Sequence, residues 1–259
     1  MIKTKQALVT TLGALALVTS GAPTLAQNKA SRPATQENVG PAPTITPENT
    51  VLVLIDHQVG LSQLVRDQTA DEFRNNVLGL ARAAKAMDIP VILTTSRDWG
   101  PNGPIFPELR QMFPDAPLIR RQGIINAYRD PAFRRAIEAT GRKTVVIAAI
   151  SASTCLQFPA LDMVRDGYTV HGVIDASGSV SETEREVTVA TLAANRVTPR
   201  NWFSVMAELR ADWRRDEAAG WPVATTLTET LPVYGWLMTQ AFAPTQAPKP
   251  EPAARGQAR

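Results

Sequence analysis

The sequence predicts the α/β fold class: a single doubly wound domain built on a six-stranded parallel sheet, in the order 3-2-1-4-5-6, with helices on both faces. Three observations predict it. Short β-rich runs are apolar throughout, as expected for strands that are covered on both faces. These runs alternate with stretches of helical periodicity, and right-handed crossovers then place helices on both sides of the sheet. Residues 50–242 have the length of one domain with a substantial core.

Six segments predict the strands. The first, residues 50–56, reads TVLVLID and ends in the carboxylate of Asp56. The fourth, residues 145–150, is entered from Thr144 and leads into a turn of small residues before Cys155. The other four strands are predicted at residues 91–95, 117–121, 168–174 and 197–203.

The segments between the strands predict helices. In residues 70–87, Phe73, Val77 and Leu80 lie on one apolar face. Residues 181–195 begin with an acidic first turn, which favours a helix N-terminus. Further helices are predicted at residues 107–112, 130–140, 155–167 and 203–212, and the apolar residues of 225–242 also recur at helical spacing.

The two ends of the chain lack the composition of a folded core. Residues 1–26 combine Lys3 and Lys5 with a short apolar run and a small-residue ending at Ala26, the order of a secretory signal peptide. The apolar run is short for a membrane span of about 20 residues, so we expect cleavage after Ala26 and no stable membrane anchor afterwards. Residues 27–49 are expected to form a flexible leader and residues 243–259 a disordered tail rich in Pro and Ala. These features predict an exported protein, periplasmic or secreted.

Composition argues against several classes of protein. The chain has 27 basic and 24 acidic residues, interspersed, for a net charge of +3, so no nucleic-acid partner is indicated. The two histidines, His57 and His171, are far apart and form no cluster with metal-ligand spacing, so no metal is expected. No glycine-rich phosphate loop follows the first strand, and we therefore expect no nucleotide or other cofactor.

Residues with useful chemistry fall at the carboxyl ends of three predicted strands. Asp56 ends the first strand, Arg120 and Arg121 end the third, and Cys155 follows the fourth in the first turn of a helix. In the predicted order, the first and fourth strands are neighbours at the switch point, where a ligand crevice opens. A helix N-terminus stabilises a thiolate, so Cys155 is a candidate nucleophile, although a lone cysteine is often only a small buried apolar residue.

Five segments of the sequence resemble the isochorismatase-like cysteine hydrolase family, most closely its YcaC-type branch. They are VLVLIDHQVGLSQLVRD (51–67), ILTTSRDWGPNGPIFPEL (92–109), residues 121–127, the Cys155 stretch with FPAL (158–161), and VIDASG (173–178). The resemblance implies the doubly wound fold and a catalytic Asp, Lys and Cys. Asp56 and Cys155 match the first and last, while the lysine position falls on Arg121, which stays protonated and cannot accept a proton. The resemblance also implies a cis peptide at Ser151-Ala152 and a ring-like homo-oligomer.

With this resemblance, the sequence predicts a hydrolase that cleaves a small amide or related C–N bond through a thioester. Asp56 would accept the thiol proton and Cys155 would attack the carbonyl, while the N–H groups of Ala152 and Cys155 would hold the oxyanion. Arg121 would act only through its charge, by lowering the thiol pKa and keeping Asp56 ionised. Gln58 and Trp99 are the candidate substrate-binding residues.

Two other classes stay open at this point. The protein could be a non-catalytic oligomeric binding protein of the same fold, for which Trp213, Trp221 and Trp236 are candidate subunit contacts. It could also be an exported redox-active thiol protein, because a single cysteine cannot form an internal disulfide. In each case the expected partners are a small molecule and further copies of the chain.

Overall fold

The sheet has the architecture that the sequence predicts. The computed structural model describes residues 45–241; the predicted signal peptide, most of the predicted leader and the predicted tail lie outside them. The strands are Thr50–Ile55 (β1), Val91–Ser96 (β2), Leu118–Arg121 (β3), Thr144–Ala149 (β4), Thr169–Val173 (β5) and Val197–Arg200 (β6). Neighbouring strands are all parallel, and their order is β3-β2-β1-β4-β5-β6. The predicted fold class and strand order are confirmed.

The two central strands, β1 and β4, run in register along their whole length. Thr50 lies opposite Thr144 and Ile55 lies opposite Ala149. Every residue of both strands is buried, which is why both read as continuous apolar runs. The chain segments that leave β1 and β4 therefore emerge side by side at the same edge of the sheet.

The helices of the described part cover both faces of the sheet. Their bounds are Ala70–Ala86 (α1), Pro107–Met112 (α2), Pro131–Ala139 (α3), Gln157–Arg165 (α4), Glu182–Ala194 (α5), Trp202–Arg210 (α6), Trp213–Ala218 (α7), Pro222–Thr230 (α8) and Pro232–Ala241 (α9). One core holds Leu52 and Leu54 of β1 against α1, α2, α6 and α8, and the other holds Val51 and Val53 against α3, α4 and α5. None of the helices in residues 45–241 is both long and apolar enough to cross a membrane.

The structure differs from the sequence-based expectation chiefly at the two ends of the domain. The periodic stretch 225–242 falls in two helices, α8 and α9, because Pro232 lacks the N–H that would continue the first. The short α7 was not predicted. The leader does not extend to residue 49: Ile45 is fully buried in the core, and its N–H donates to Glu208 Oε1 at 3.0 Å.

Candidate active site

Three strand ends bring Asp56, Arg121 and Cys155 to one corner of the sheet edge. Asp56 directly follows β1, in the left-handed backbone region that Asp tolerates, and its N–H donates to Thr94 O at 2.9 Å. Arg121 is the last residue of β3. Cys155 lies after β4 in a π-helical turn, Ala152–Leu156, that continues into α4.

The Arg121 guanidinium is buried behind Asp56. Its Nη2 donates to both carboxylate oxygens of Asp56, and the two side chains are 0% and 1% exposed. Its Nε donates to Thr94 Oγ1 at 3.0 Å, and its Nη1 donates to the backbone oxygen of Ile124. Arg121 is therefore fixed on all sides, and its charge is directed at Asp56.

Burial alters the proton affinity of both reactive groups. It raises the pKa of the Asp56 carboxyl above its ordinary value, and the Arg121 guanidinium counteracts part of that rise. Burial, with the Asp56 charge as the second cause, raises the pKa of the Cys155 thiol to about 12. The Asp56 carboxylate is thus close enough to the Cys155 thiol to affect its proton affinity. The resting pair is thus a neutral thiol beside a carboxylate.

This state of the thiol differs from the sequence-based expectation. The helix N-terminus and Arg121 were expected to lower the pKa of the Cys155 thiol. Arg121 does lower the pKa of the Cys155 thiol, but burial and the nearer Asp56 carboxylate outweigh it. A thiolate at Cys155 therefore needs proton transfer to Asp56.

The predicted oxyanion donors are already engaged. The Ala152 N–H donates to Gly178 O at 2.8 Å, and the Cys155 N–H donates to Ser151 O at 2.9 Å. The first bond extends the sheet edge and the second closes the first helical turn, so the prediction of Ala152 and Cys155 as open donors is wrong. Within residues 45–241, the backbone N–H groups of Ser153 and Thr154 donate to no acceptor.

A cavity of about 330 Å³ opens directly over the pair. Asp56 and Cys155 both line it, whereas Arg121 lies behind them. The rest of the wall is mostly apolar, with a few hydroxyl and amide groups. Its other lining residues are Leu61, Leu64, Val65, Ser96, Asn102, Ile125, Ile150, Ser151, Thr154, Gly178, Ser179 and Val180.

The two predicted substrate-binding residues lie elsewhere. Gln58 is fully buried and serves the loop after β2: its Oε1 accepts from Ser96 N at 2.8 Å, and its Nε2 donates to the backbone oxygens of Ser96 and Gly103. Trp99 is 54% exposed on that loop and does not line the cavity. Its neighbour Asn102 lines the wall instead.

Sequence reasoning missed the apolar wall. Leu61 and Leu64 come from a short 3₁₀ helix, Leu61–Leu64, that follows Asp56 closely. Their spacing of three residues directly after the site carboxylate was the available signal. Val180 has no comparable signal, because its place depends on how the segment after β5 returns to the sheet edge.

Two further expectations can be compared with the structure. The cis peptide lies at Ile150-Ser151, one residue earlier than the resemblance implies. Within residues 45–241, no group of three or more His, Cys, Asp or Glu side chains is arranged to hold a metal ion. His57 and His171 are both fully buried, and burial lowers the pKa of each to about 4, so both are neutral core residues.

Comparisons with known proteins agree with this fold. The Isochorismatase domain family model matches residues 50–202. Probable hydrolase YcaC of Escherichia coli strain K12 is 43% identical over 191 residues, which covers 74% of this chain and 90% of YcaC. The solved structure of YcaC from Pseudomonas aeruginosa has a TM-score of 0.75 at 41% identity and covers 78% of this chain and 98% of that one. The crystal structure of Escherichia coli YcaC, described as an octameric hydrolase of unknown specificity, has a TM-score of 0.75 at 42% identity and covers 78% and 97%. The chain therefore belongs to the isochorismatase family of hydrolases.

Proposed function

We propose that this protein is a cysteine hydrolase that cleaves the C–N bond of a small amide or related compound through a thioester on Cys155. The observation that carries the proposal is the cavity on which the Cys155 thiol and the Asp56 carboxylate both lie, close enough that the Asp56 charge raises the pKa of the thiol. A nucleophile beside a base is the arrangement that covalent catalysis needs.

In the first half of the reaction, the Cys155 sulfur attacks the carbonyl carbon as its proton moves to Asp56. A C–S bond forms and the carbonyl π electrons move to oxygen. When the tetrahedral intermediate collapses, the C–N bond breaks and the proton on Asp56 passes to the departing nitrogen. The raised pKa of the Asp56 carboxyl makes it a stronger base than an ordinary aspartate.

In the second half, Asp56 accepts a proton from water as the water oxygen attacks the thioester carbon. The C–S bond then breaks, and the sulfur recovers its proton from Asp56. We propose that the Ser153 and Thr154 N–H groups receive the oxyanion in both halves, since they are the open donors beside Cys155 in the described chain.

Arg121 acts in this scheme through its charge and its position. It stays protonated, so it does not carry a proton between substrate and water. Its bonds to both Asp56 oxygens keep the carboxylate ionised and hold it against the thiol. The replacement of the family lysine by arginine is compatible with such a role.

The relatives give support of two kinds. The Pseudomonas aeruginosa YcaC structure contains covalent acrylamide, an electrophile that reacts with thiolates. The octameric Escherichia coli YcaC supports a homo-oligomer for this chain.

We also propose that the chain is exported, because residues 1–26 have the order of a secretory signal peptide. N-terminal sequencing of the protein from the periplasm or medium should begin at Gln27. A start at Met1 would contradict the proposal.

Cys155→Ala tests the covalent scheme. In a screen of small amides, the wild-type chain should release amine, and the variant should lose turnover by several orders of magnitude. Intact-mass spectrometry after acid quenching should detect the wild-type chain plus the acyl group, and no such adduct on the variant. Turnover retained by Cys155→Ala would rule out the thioester.

The redox-active thiol has less support from this geometry. Oxidation-sensitive cysteines have lowered pKa values and open surroundings, whereas burial raises the pKa of the Cys155 thiol to about 12. A binding protein without activity would instead show ligand affinity but no turnover by the wild-type chain in the same screen.

A further inference from the structure

A short chain of hydroxyl groups leads to the Cys155 sulfur. The Ser151 and Thr154 hydroxyl oxygens lie 2.9 Å apart. The Thr154 hydroxyl donates to Cys155 Sγ at 3.6 Å, within reach for the large sulfur atom. Ser151 and Thr154 also line the cavity.

The hydrogen-bond partners of the Ser151 and Thr154 hydroxyls determine the direction in which each hydroxyl proton points. Each hydroxyl has one proton to donate and can accept others. Since the Thr154 proton points to sulfur, its oxygen must accept the proton of Ser151. The alternative partner of Ser151 is Ser153 Oγ, but it is farther away, at 3.4 Å, and Ser153 gives its own proton to Glu184 Oε1. The chain therefore runs in one direction, from Ser151 through Thr154 to Cys155.

This arrangement differs from the usual behaviour of hydroxyl side chains in helices. Ser and Thr in a helix commonly donate to the backbone carbonyl three or four residues earlier. In the described part of the chain, the Ser151 and Thr154 hydroxyls have only side-chain partners. Capping of the turn would require a bond from these hydroxyls to the backbone, so a capping role does not explain the two side chains.

We propose that Thr154 is a further catalytic residue, whose hydroxyl stabilises the Cys155 thiolate as its proton leaves, and that Ser151 is a positioning residue that orients this hydroxyl. The proposal adds to the proposed function and rests on its nucleophile. A hydrogen bond to a charged acceptor is about twice as strong as one to a neutral acceptor. The bond therefore gains strength when the thiol becomes a thiolate, which is the condition for accelerating the step. In agreement, the Thr154 hydrogen bond lowers the pKa of the Cys155 thiol.

Alkylation of Cys155 by iodoacetamide tests this without any substrate. Second-order rates would be measured on the full mature chain between pH 6 and 10 for the wild type, Thr154→Val, Thr154→Ser and Ser151→Ala. Valine keeps the shape of threonine but removes the hydroxyl, so its rate should fall by about tenfold across this range. Serine keeps the hydroxyl and should restore most of the rate. Ser151→Ala should fall between them.

The design separates the hydroxyl from packing effects. Equal slowing of Thr154→Val and Thr154→Ser would assign the effect to the lost contacts and overturn the proposal, as would a wild-type rate for Thr154→Val. A wild-type rate for Ser151→Ala would overturn the orienting role of Ser151. If Thr154→Val unfolds at a different temperature from the wild type, its alkylation rate is set aside. The Ser151→Ala rate alone then decides whether the proposal stands. The amide screen could show no turnover while the variants still differ from the wild type in alkylation rate as expected. That result would refute the proposed substrate class and leave Thr154 as the donor to the thiolate.

Discussion

Asp56, which is buried, and Cys155, which is half-buried, share one corner of the cavity, and loss of surrounding water acts on both in the same direction. It favours the protonated form of each, and the Arg121 charge then places the ionised state on Asp56. The consequence is a base and a thiol that are placed to exchange one proton. Catalysis by such a pair does not require a thiolate in the resting enzyme.

The acid limb of the pH profile reports on Asp56. Asp56 must be ionised to accept the thiol proton, and its pKa is raised in the folded protein. Activity is therefore complete above that raised pKa and is lost as pH falls through it. We expect kcat/KM to decline at a pH above the ordinary aspartate value of about 3.9. Activity that stays constant down to the ordinary carboxyl range would contradict Asp56 as the base.

Arg121 is the residue on which the stability of the site depends most directly. Arg121→Met leaves the Asp56 charge buried without a partner, and should lower the free energy of unfolding by about 3–5 kcal/mol. Arg121→Lys keeps a charge beside Asp56 but loses the fork that also reaches Thr94, so its loss should be about 1–3 kcal/mol. Urea denaturation measures both values. Equal stability of Arg121→Met and the wild type would show that the ion pair is not coupled to folding.

Residue-scale predictions from the sequence succeeded where backbone topology alone positions a side chain. Asp56, Arg121 and Cys155 lie at or just after strand ends, so the strand order was sufficient to bring them together. Gln58 was assigned to the substrate and in fact holds a loop, because its partners depend on the path of residues 96–104. The prediction of the oxyanion donors was wrong for a similar reason, since the hydrogen bonds within the turn determine which backbone N–H groups lack an acceptor.

At the scale of elements, the loop after β2 forms one wall of the cavity and is fixed by the segment after β1. Gly60 N–H donates to Asn102 O at 2.8 Å, and a Cβ at residue 60 would overlap the backbone oxygen of Pro101 and lie 2.7 Å from that of Asn102. Only glycine allows this approach. Asn102, which lines the cavity, is therefore positioned by a backbone contact.

Gly60→Ala should displace this loop. Overpacking of this kind costs about 1–3 kcal/mol, and the shift of Asn102 should raise KM more than it changes kcat. Gly100→Ala, in the same loop, is the matched control, because its Cβ would meet Arg97 O at an ordinary 3.4 Å. Thermal unfolding and steady-state kinetics would be compared for both. If the two variants behave alike, the close approach at Gly60 has no role in forming the site.

The elements that the sequence could not predict depend on tertiary contacts. The short α7 carries Asp216, whose buried carboxylate accepts from the N–H groups of Val223 and Ala224 at the start of α8 and pairs with Arg210. A carboxylate at a helix N-terminus is stabilising, but nothing in the sequence of α7 itself indicates that Asp216 binds the start of α8. By contrast, α1 was predictable, because its cap and its apolar face are both encoded within the segment.

At the scale of the whole molecule, alternation of strands and helices was enough to predict the sheet order. The handedness of parallel crossovers leaves few arrangements for six such units, and the switch point then falls between β1 and β4. What pattern reasoning lacked was the outer boundary of the domain. Ile45 precedes the first strand as a single apolar residue in a polar stretch, and only its contact partners reveal that it belongs to the core.

The last described helix, α9, presents an apolar surface that a monomer leaves in water. Val233, Trp236 and Leu237 are 78%, 65% and 52% exposed. Adjacent exposed apolar residues on one helix are typical of an interaction site. We therefore expect α9 to contribute contacts to the proposed homo-oligomer.

Light scattering coupled to size exclusion tests this expectation. The wild-type mass should be a multiple of the mature chain, and Trp236→Glu combined with Leu237→Glu should reduce it, because burying two carboxylates at an apolar contact is unfavourable. Val187→Glu, a change on a similarly exposed residue of α5, controls for added charge elsewhere. A monomeric wild type would refute the oligomer. An unchanged mass for the α9 variant, or an equal drop with Val187→Glu, would instead show that the contacts are made by other surfaces as well as, or in place of, α9.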